Sequence, residues 1–246
     1  MGIRLSTHPK MFNECIFALL AAFSVNTVEL GVQSFDNLIL KKAARGHTAE
    51  EAEQTIDRLQ HMGIDVGIHL MIGLPGDSHE GSITSAQKTI ALHPASVRIH
   101  PTLVIRNTQL EALYRKGHYI PLSLDAAVKT CKEMLKLFRT HQIPVIRIGL
   151  QPTASMEQNI VAGPFHPAMR QLVESALAYE EMEALCADQS FPDKYVTFYV
   201  SPRDTSTVRG QKNDNLKKLQ QQFGLTHVDV IPDTSLLRGD LRIVPH

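Results

Sequence analysis

Short β-like runs alternate with amphipathic helical stretches along the first 150 residues, at intervals of about 30 residues. The runs are GIRLS at 2–6, TVELGV at 27–32, DVGIHLMIG at 65–73, SVRIHPTLVI at 96–105 and IPVIRIGL at 143–150. Consecutive strands separated by a helix can join one sheet only as parallel neighbours through right-handed crossovers. The rhythm therefore predicts an α/β fold built on a parallel sheet of about five strands before Leu150. The run at 65–73 is almost continuously apolar, which predicts a strand covered on both faces.

Capping chemistry marks the intervening helices. Thr48 with Glu51 forms a capping box, followed by Ala52, Ile56, Leu59 and Met62 on one stripe and Gly63 as the stop. Asp77 or Ser78 caps the next helix, and Asn107 the one after it. Ser123 opens a long helix with Leu124, Ala127, Val128, Cys131, Leu135 and Phe138 at helical spacing. Burial of those side chains is worth about 2 kcal/mol each before conformational entropy is counted. From Lys10 to Phe23 the stripe is Phe12, Cys15, Ile16, Leu19 and Leu20, which places Cys15 in the core with Cys131 as small hydrophobes.

In a parallel sheet the carboxyl ends of the strands form the floor of the ligand site. Gln33 follows the strand at 27–32, and Arg45 ends the amphipathic segment after it. Gln33 suits a hydrogen bond to a small polar ligand, and Arg45 a carboxylate or ribose. Equally plain structural roles are open to both: a turn residue and a cation at a helix carboxyl end. His69, midway along its strand, is either a hydrogen-bonded core histidine or a ligand contact. His100 and Thr102 lie near the end of the fourth strand and suit substrate-side contacts; Pro101 should break that strand.

The stretches ELGVQS, KKAARGHT and GIHLMIGLPGDS together resemble the radical S-adenosylmethionine enzymes. The branch most similar contains the catalytic subunit of Elongator and the oxygen-independent coproporphyrinogen oxidases. The resemblance runs from about Gly2 to about Pro167. It implies a partial (β/α) barrel, here lacking its first strands, in which Gln33 and Arg45 touch S-adenosylmethionine. Two further cofactor-side positions, acidic in the family, fall at Ser6 and His69 in this sequence. Two or three more strands would complete the family's barrel, so the resemblance implies an exposed apolar edge before Ile3. It also implies that GPFHPA, within the irregular stretch 151–169, folds across the barrel mouth. His166 there suits either a helix cap or a catalytic role.

The family holds a [4Fe–4S] cluster on a Cys-x3-Cys-x2-Cys loop. This chain has three cysteines, Cys15, Cys131 and Cys186, none within reach of another along the sequence. One tight loop cannot be made from them. The chain thus reads as the carboxyl-terminal part of a radical enzyme, begun downstream of its cluster loop, with the cluster expected only in a full-length parent. The sparse cysteines argue for a reducing, cytoplasmic setting. The twelve histidines show neither HxH nor HExxH spacing, so no metal ligand set is assigned. Acidic and basic residues balance at 25 each, which removes any global field favouring nucleic acid or membrane. No apolar run reaches the length of a membrane span.

The expected division is a partial barrel over 1–165 and a carboxyl-terminal part over 166–246. A helix from His166 to Ala187 leads into a small α+β appendage. It comprises strands at 195–200 (YVTFYV), 227–231 (HVDVI) and 241–244 (LRIV), with a helix at 215–223 closed by Gly224. Arg203, Arg209, Lys212, Lys217 and Lys218 gather near that helix start; they suit a phosphate or RNA backbone or a plain solvated surface. Arg203 and Arg209 read as loop residues and as the better substrate-side candidates. The functional expectation is a radical enzyme acting on an RNA nucleoside or a small metabolite, inactive without its cluster loop. The competing expectation is a cluster-free binding or assembly module. An unrelated aldolase-like barrel has no support, because no lysine sits at a strand end in an apolar setting.

Overall fold

The computed structural model describes residues 2–151 and 153–246, with the backbone alone for Ala154 and Ser155. Pro152, in the stretch read as irregular, lies outside the described residues. The chain divides between Met169 and Arg170 into two compact units.

The first unit carries a five-stranded, wholly parallel sheet. Its strands are β1 (Ile3–Thr7), β2 (Val25–Gln33), β3 (Asp65–Ile72), β4 (Ser96–Pro101) and, after a two-residue β5 (Val104–Ile105), β6 (Val145–Ile148). Helices return the chain between them: α1 (Glu14–Ala22), α2 (Asn37–Lys42), α3 (Ala49–His61), α4 (His79–Ala91), α5 (Gln109–Arg115) and α6 (Leu124–Thr140). A short α7 (Ala154–Glu157) then leads to β7 (Ile160–Ala162), which pairs antiparallel with β5.

Side chains alternate across each strand, and the two faces differ in kind. Val28, Leu30 and Val32 of β2, Val66, Ile68, Leu70 and Ile72 of β3, and Val97 and Ile99 of β4 are all buried on one face. Helices α3 and α4 pack there against β3, presenting Ala52, Ile56 and Leu59 from α3. The opposite face carries Arg4, Glu29, Gln33, His69, Met71, Arg98, His100 and Arg147. The expectation that 65–73 is covered on both faces therefore fails. One face lies under helices, and on the other His69 and Met71 are half-buried beside a cavity.

The capping box at Thr48 and Glu51 is formed in full, each side chain satisfying the other's backbone N–H. Thr48→Ala is expected to cost about 1 kcal/mol, read as faster amide exchange in the first turn of α3. Ser78 caps α4 and Ser123 caps α6. At α5 the cap is Thr108, not Asn107, whose positive φ of 62° places it in the preceding turn. The segment from Lys10 to Phe23 is broken: a 3-10 turn occupies Pro9–Met11, and Asn13 caps α1. Phe17 and Leu20 form its buried face, and Cys15 is exposed, against the expectation. The slip arises because one turn of 3-10 helix shifts the stripe.

Strand β1 is an edge. An apolar groove of about 430 Å³ opens beside it, lined by Ile3, Leu5, Phe12, Ile16, Leu20 and Val25, with Met11 61% and Phe23 64% exposed at its rim. This is the exposed apolar edge implied by the resemblance.

The second unit contains most of α8 (Met169–Ala187), β8 (Tyr195–Val200), α9 (Thr205–Arg209), α10 (Asp214–Phe223), β9 (His227–Pro232) and β10 (Leu241–Pro245). Its sheet runs β10-β8-β9, with β8 and β9 parallel and β10 antiparallel. Met182 and Cys186 from α8 meet Phe198, Leu219 and Val230 in its core. Gly224 closes α10 in the left-handed conformation, as its sequence position requires.

Candidate cofactor and substrate site

Gln33 ends β2 in an unusual backbone state. Its φ is +71°, and the Ser34 N–H bonds back to the Val32 carbonyl at 3.0 Å, closing a three-residue turn. A non-glycine residue held this way stores strain that the surroundings must enforce. His47, 5% exposed, supplies part of that enforcement: its Nε2 meets the same Val32 carbonyl at 3.2 Å.

Arg45 follows α2. Its Nη2 donates to the Gly31 carbonyl at 2.9 Å, while its buried Nε has no hydrogen-bond partner. The Arg45 carbonyl lies 2.9 Å from His8 Nε2, and His8 Nε2 lies 3.2 Å from His47 Nδ1. The Lys10 N–H donates to His8 Nδ1. His8 Nε2 therefore carries the proton it gives to the Arg45 carbonyl. With both rings neutral the chain of donors and acceptors is satisfied. Burial, and then the neighbouring positive charges, holds both imidazoles below the ordinary histidine value.

The two polar groups converge. A methyl group built on Gly31 would lie 2.8 Å from Gln33 Nε2, 3.3 Å from Arg45 Nη2 and 3.7 Å from the Thr7 carbonyl. Gln33 and Arg45 thus share one face at the carboxyl ends of β1 and β2. A residue without a side chain at position 31 lets both side-chain ends come this close to the strand.

Behind the corner stands a charge network centred on Glu29, which is 3% exposed. Arg98 Nη2 donates to its Oε1 at 2.8 Å, His69 Nε2 to its Oε2, and Arg4 reaches Oε1 from β1. Burial alone would raise the Glu29 carboxyl; hydrogen bonds from Arg98 and His69 and the two guanidinium charges bring it below the ordinary value. Burial lowers the His69 pKa. Its ring stacks on that of His100, 5.9 Å between centroids, and Gln33, His69, Met71, His100, Leu150 and Met156 line a cavity of about 240 Å³.

The remaining sequence candidates fall differently. Ser6 lies on the open edge strand, exposed and in register with Glu29. Thr102 is buried and its hydroxyl is spent on the Ile72 carbonyl at 2.8 Å, so it is not a substrate-side contact. Arg209 is not a loop residue: it ends α9 and donates to the Val230 carbonyl at 3.0 Å, tying α9 to β9. Arg203 is exposed in the second unit, and Lys218 pairs with Asp214. His166 Nδ1 accepts from the Ala168 N–H in the turn before α8, which begins at Met169 and not at His166 as expected. Sequence reasoning missed Glu29, Arg98, Arg147, His8 and His47. The recurrence of polar residues at every second or fourth position, Glu29 and Gln33 on β2 and Arg98 and His100 on β4, was the available signal, hidden by the apolar residues between them.

The three cysteines sit in three separate settings. Cys15 is exposed on α1, Cys131 is buried in the first unit with its thiol pushed up to about 12, and Cys186 belongs to the second unit. Among the described residues no group of three or more histidine, cysteine or acidic side chains could hold a metal ion. The residues present therefore do not fit an iron–sulfur cluster. At Gln33 and Arg45 they suit a polar ligand instead: the buried Arg45 Nε has no hydrogen-bond partner, and both side-chain ends close over Gly31. No helix among the described residues is long and apolar enough to cross a membrane.

Comparison with known proteins gives a consistent picture. Residues 1–88 match the Radical SAM superfamily, and residues 94–179 match the Radical_SAM C-terminal domain. The tRNA uridine(34) acetyltransferase of Methanocaldococcus infernus is 32% identical over 132 residues, 52% of this chain and 25% of that protein. Human Elongator complex protein 3 is 28% identical over 140 residues, 56% of this chain and 26% of that protein. Among solved structures, the archaeal Methanocaldococcus infernus Elp3 with its amino terminus deleted superposes with a TM-score of 0.65. It is 28% identical and covers 75% of this chain and 42% of that one. The chain spans about a quarter of the length of these curated relatives.

Proposed function

We propose that this chain, which belongs to the radical SAM superfamily, binds S-adenosylmethionine at the Gln33–Arg45 corner and presents the adjoining cavity to the group to be modified. The observation that carries this reading is the approach of Gln33 Nε2 and Arg45 Nη2 to one spot over Gly31, with Arg45 Nε unpartnered. In radical SAM enzymes the bound cofactor supplies a 5′-deoxyadenosyl group that abstracts hydrogen from the substrate. This chain's own residues bind and orient. Arg45 offers planar charged donors to a carboxylate or ribose, Gln33 offers an amide donor and acceptor, and the strained turn fixes where that amide points.

The relatives' names favour an RNA nucleoside as the substrate, with a small metabolite as the other class. Because the cysteines do not fit a cluster, the chain alone is proposed to bind the cofactor without cleaving it. That same dispersal also favours a second reading, a cluster-free binding module. Equilibrium dialysis against S-adenosylmethionine decides for or against the site. Saturable binding supports it, and its absence removes it.

Gly31→Ala provides a local check. The new methyl would crowd Gln33 Nε2 at 2.8 Å and Arg45 Nη2 at 3.3 Å, both ends of side chains that can swing aside. Binding is expected to fall about tenfold, with stability changed by less than about 1 kcal/mol.

A further inference from the structure

The polar face of the sheet holds more positive charge than it can neutralise. Arg98 and Arg147 are register partners on β4 and β6. Neighbouring strands run about 4.8 Å apart, so the two arginines leave one face of the sheet side by side. Like charges placed directly across a strand pair are destabilising. Glu29 compensates Arg98 and is already shared with Arg4 and His69. Arg147, half-buried, makes no hydrogen bond or ion pair among the described residues. Beside them His100 lines the cavity, and its buried Nε2 has no partner; neither has the buried Nε of Arg98. His100 thus faces the cavity, with Arg98 two residues before it on the same face of β4 and Arg147 across from Arg98 on β6, and among the described lining residues of the cavity there is no carboxylate.

We propose that Arg98, Arg147 and His100 form an oxyanion subsite that takes a phosphate group of the ligand. Two planar forks and an imidazole present several donors at once, which suits a tetrahedral anion with oxygens on every side. A bound phosphate would also account for a pair of adjacent cations that the folded chain otherwise carries at a cost. The subsite does not depend on S-adenosylmethionine at Gln33 and Arg45, and it goes beyond that reading by assigning a charge to what enters the cavity. His100 responds to occupancy. Burial, then the positive charges of His69, Arg147 and Arg98, hold it down to about 4, opposed by Glu29 alone. An anion beside the ring stabilises imidazolium and raises that value.

The test is a titration of the intact chain with inorganic phosphate at fixed ionic strength, with chloride as the control. It is followed by the histidine ring resonances and by thermal unfolding. The expected result is saturation in the millimolar range or below, with an upward movement of the His100 titration that chloride does not produce. Arg147→Gln is expected to weaken binding about tenfold, while leaving the ligand-free protein as stable as before or more so. Arg147→Lys should give an intermediate value. Arg45→Ala should bind phosphate normally, so that loss of the cofactor corner and loss of this subsite are read separately. A nucleoside 5′-monophosphate compared with its nucleoside shows whether the phosphate belongs to a nucleotide. If the monophosphate gains nothing over the nucleoside, the site takes the free ion. Non-saturating behaviour equal to chloride, or an Arg147→Gln variant that binds as the parent does, would overturn the proposal.

Discussion

Arg45→Ala is expected to lower S-adenosylmethionine affinity by about 30- to 100-fold, the equivalent of ~2–3 kcal/mol for losing charge-assisted hydrogen bonds at a partly buried site. The same substitution removes one structural bond, Nη2 to the Gly31 carbonyl. Stability should fall by only about 1 kcal/mol, because that carbonyl can then turn to water. Arg45→Lys separates the two contributions. It keeps the charge and loses the planar fork, so binding should recover only in part. Dialysis with labelled cofactor beside an unfolding curve reads both. An Arg45→Ala protein that binds as the parent does would remove this residue from the site. One that no longer folds would show the guanidinium to be a structural brace.

Glu29→Ala should be the most destabilising change on the polar face of the sheet, at about 3 kcal/mol. The loss has a definite origin. Arg98 and His69 each lose their acceptor, and Arg4 loses its counter-ion, while the cations remain side by side. Hydrogen exchange of the β2 and β3 amides reports on the first unit without averaging over the second. The pH dependence carries a sign that checks the cause. Glu29 sits below its ordinary value of 4.5 in the folded chain. Its stabilisation is therefore complete above about 4.5, and is lost as the pH falls through the lower folded value. The gap between parent and Glu29→Ala should narrow only in that acid range.

A second, separate decline belongs to His8, His47 and His69, all held below the ordinary 6.5. The unfolded chain takes up those protons first, so stability begins to fall as the pH drops below about 6.5. This decline should survive in Glu29→Ala for His8 and His47, which do not touch that carboxylate. Protonating His47 also removes the Nδ1 acceptor that faces His8, so the seat of Arg45 loosens in the same range.

The architecture was legible because its signals are local. A capping box at Thr48 and Glu51, serine caps at Ser78 and Ser123, and apolar runs about 30 residues apart each act within a few residues of themselves. Five parallel strands and the apolar edge at β1 follow from that rhythm and from the family resemblance. The errors were also local. A turn of 3-10 helix at Pro9–Met11 displaced the α1 stripe and turned Cys15 outward. Continuous hydropathy along 65–73 concealed a strand with one face open to a cavity. Thr102 looked like a ligand contact because sequence shows which polar groups exist and not which already have a partner, and Arg209 looked like a loop residue although its Nη2 ties α9 to β9.

By itself the sequence determined the order of the five parallel strands and the helices that return between them, the identity of Gln33 and Arg45 as a pair worth watching, and the impossibility of three cysteines on one loop. Each of these depends on neighbours along the chain. Only the tertiary structure decided that Gln33 and Arg45 share a face over Gly31 and that Arg45 is seated by His8 and His47. It alone showed one carboxylate, Glu29, serving two arginines and a histidine drawn from β1, β4 and β3. Charges on separate strands meet only when the sheet brings their faces into register, and no spacing in the sequence encodes that register.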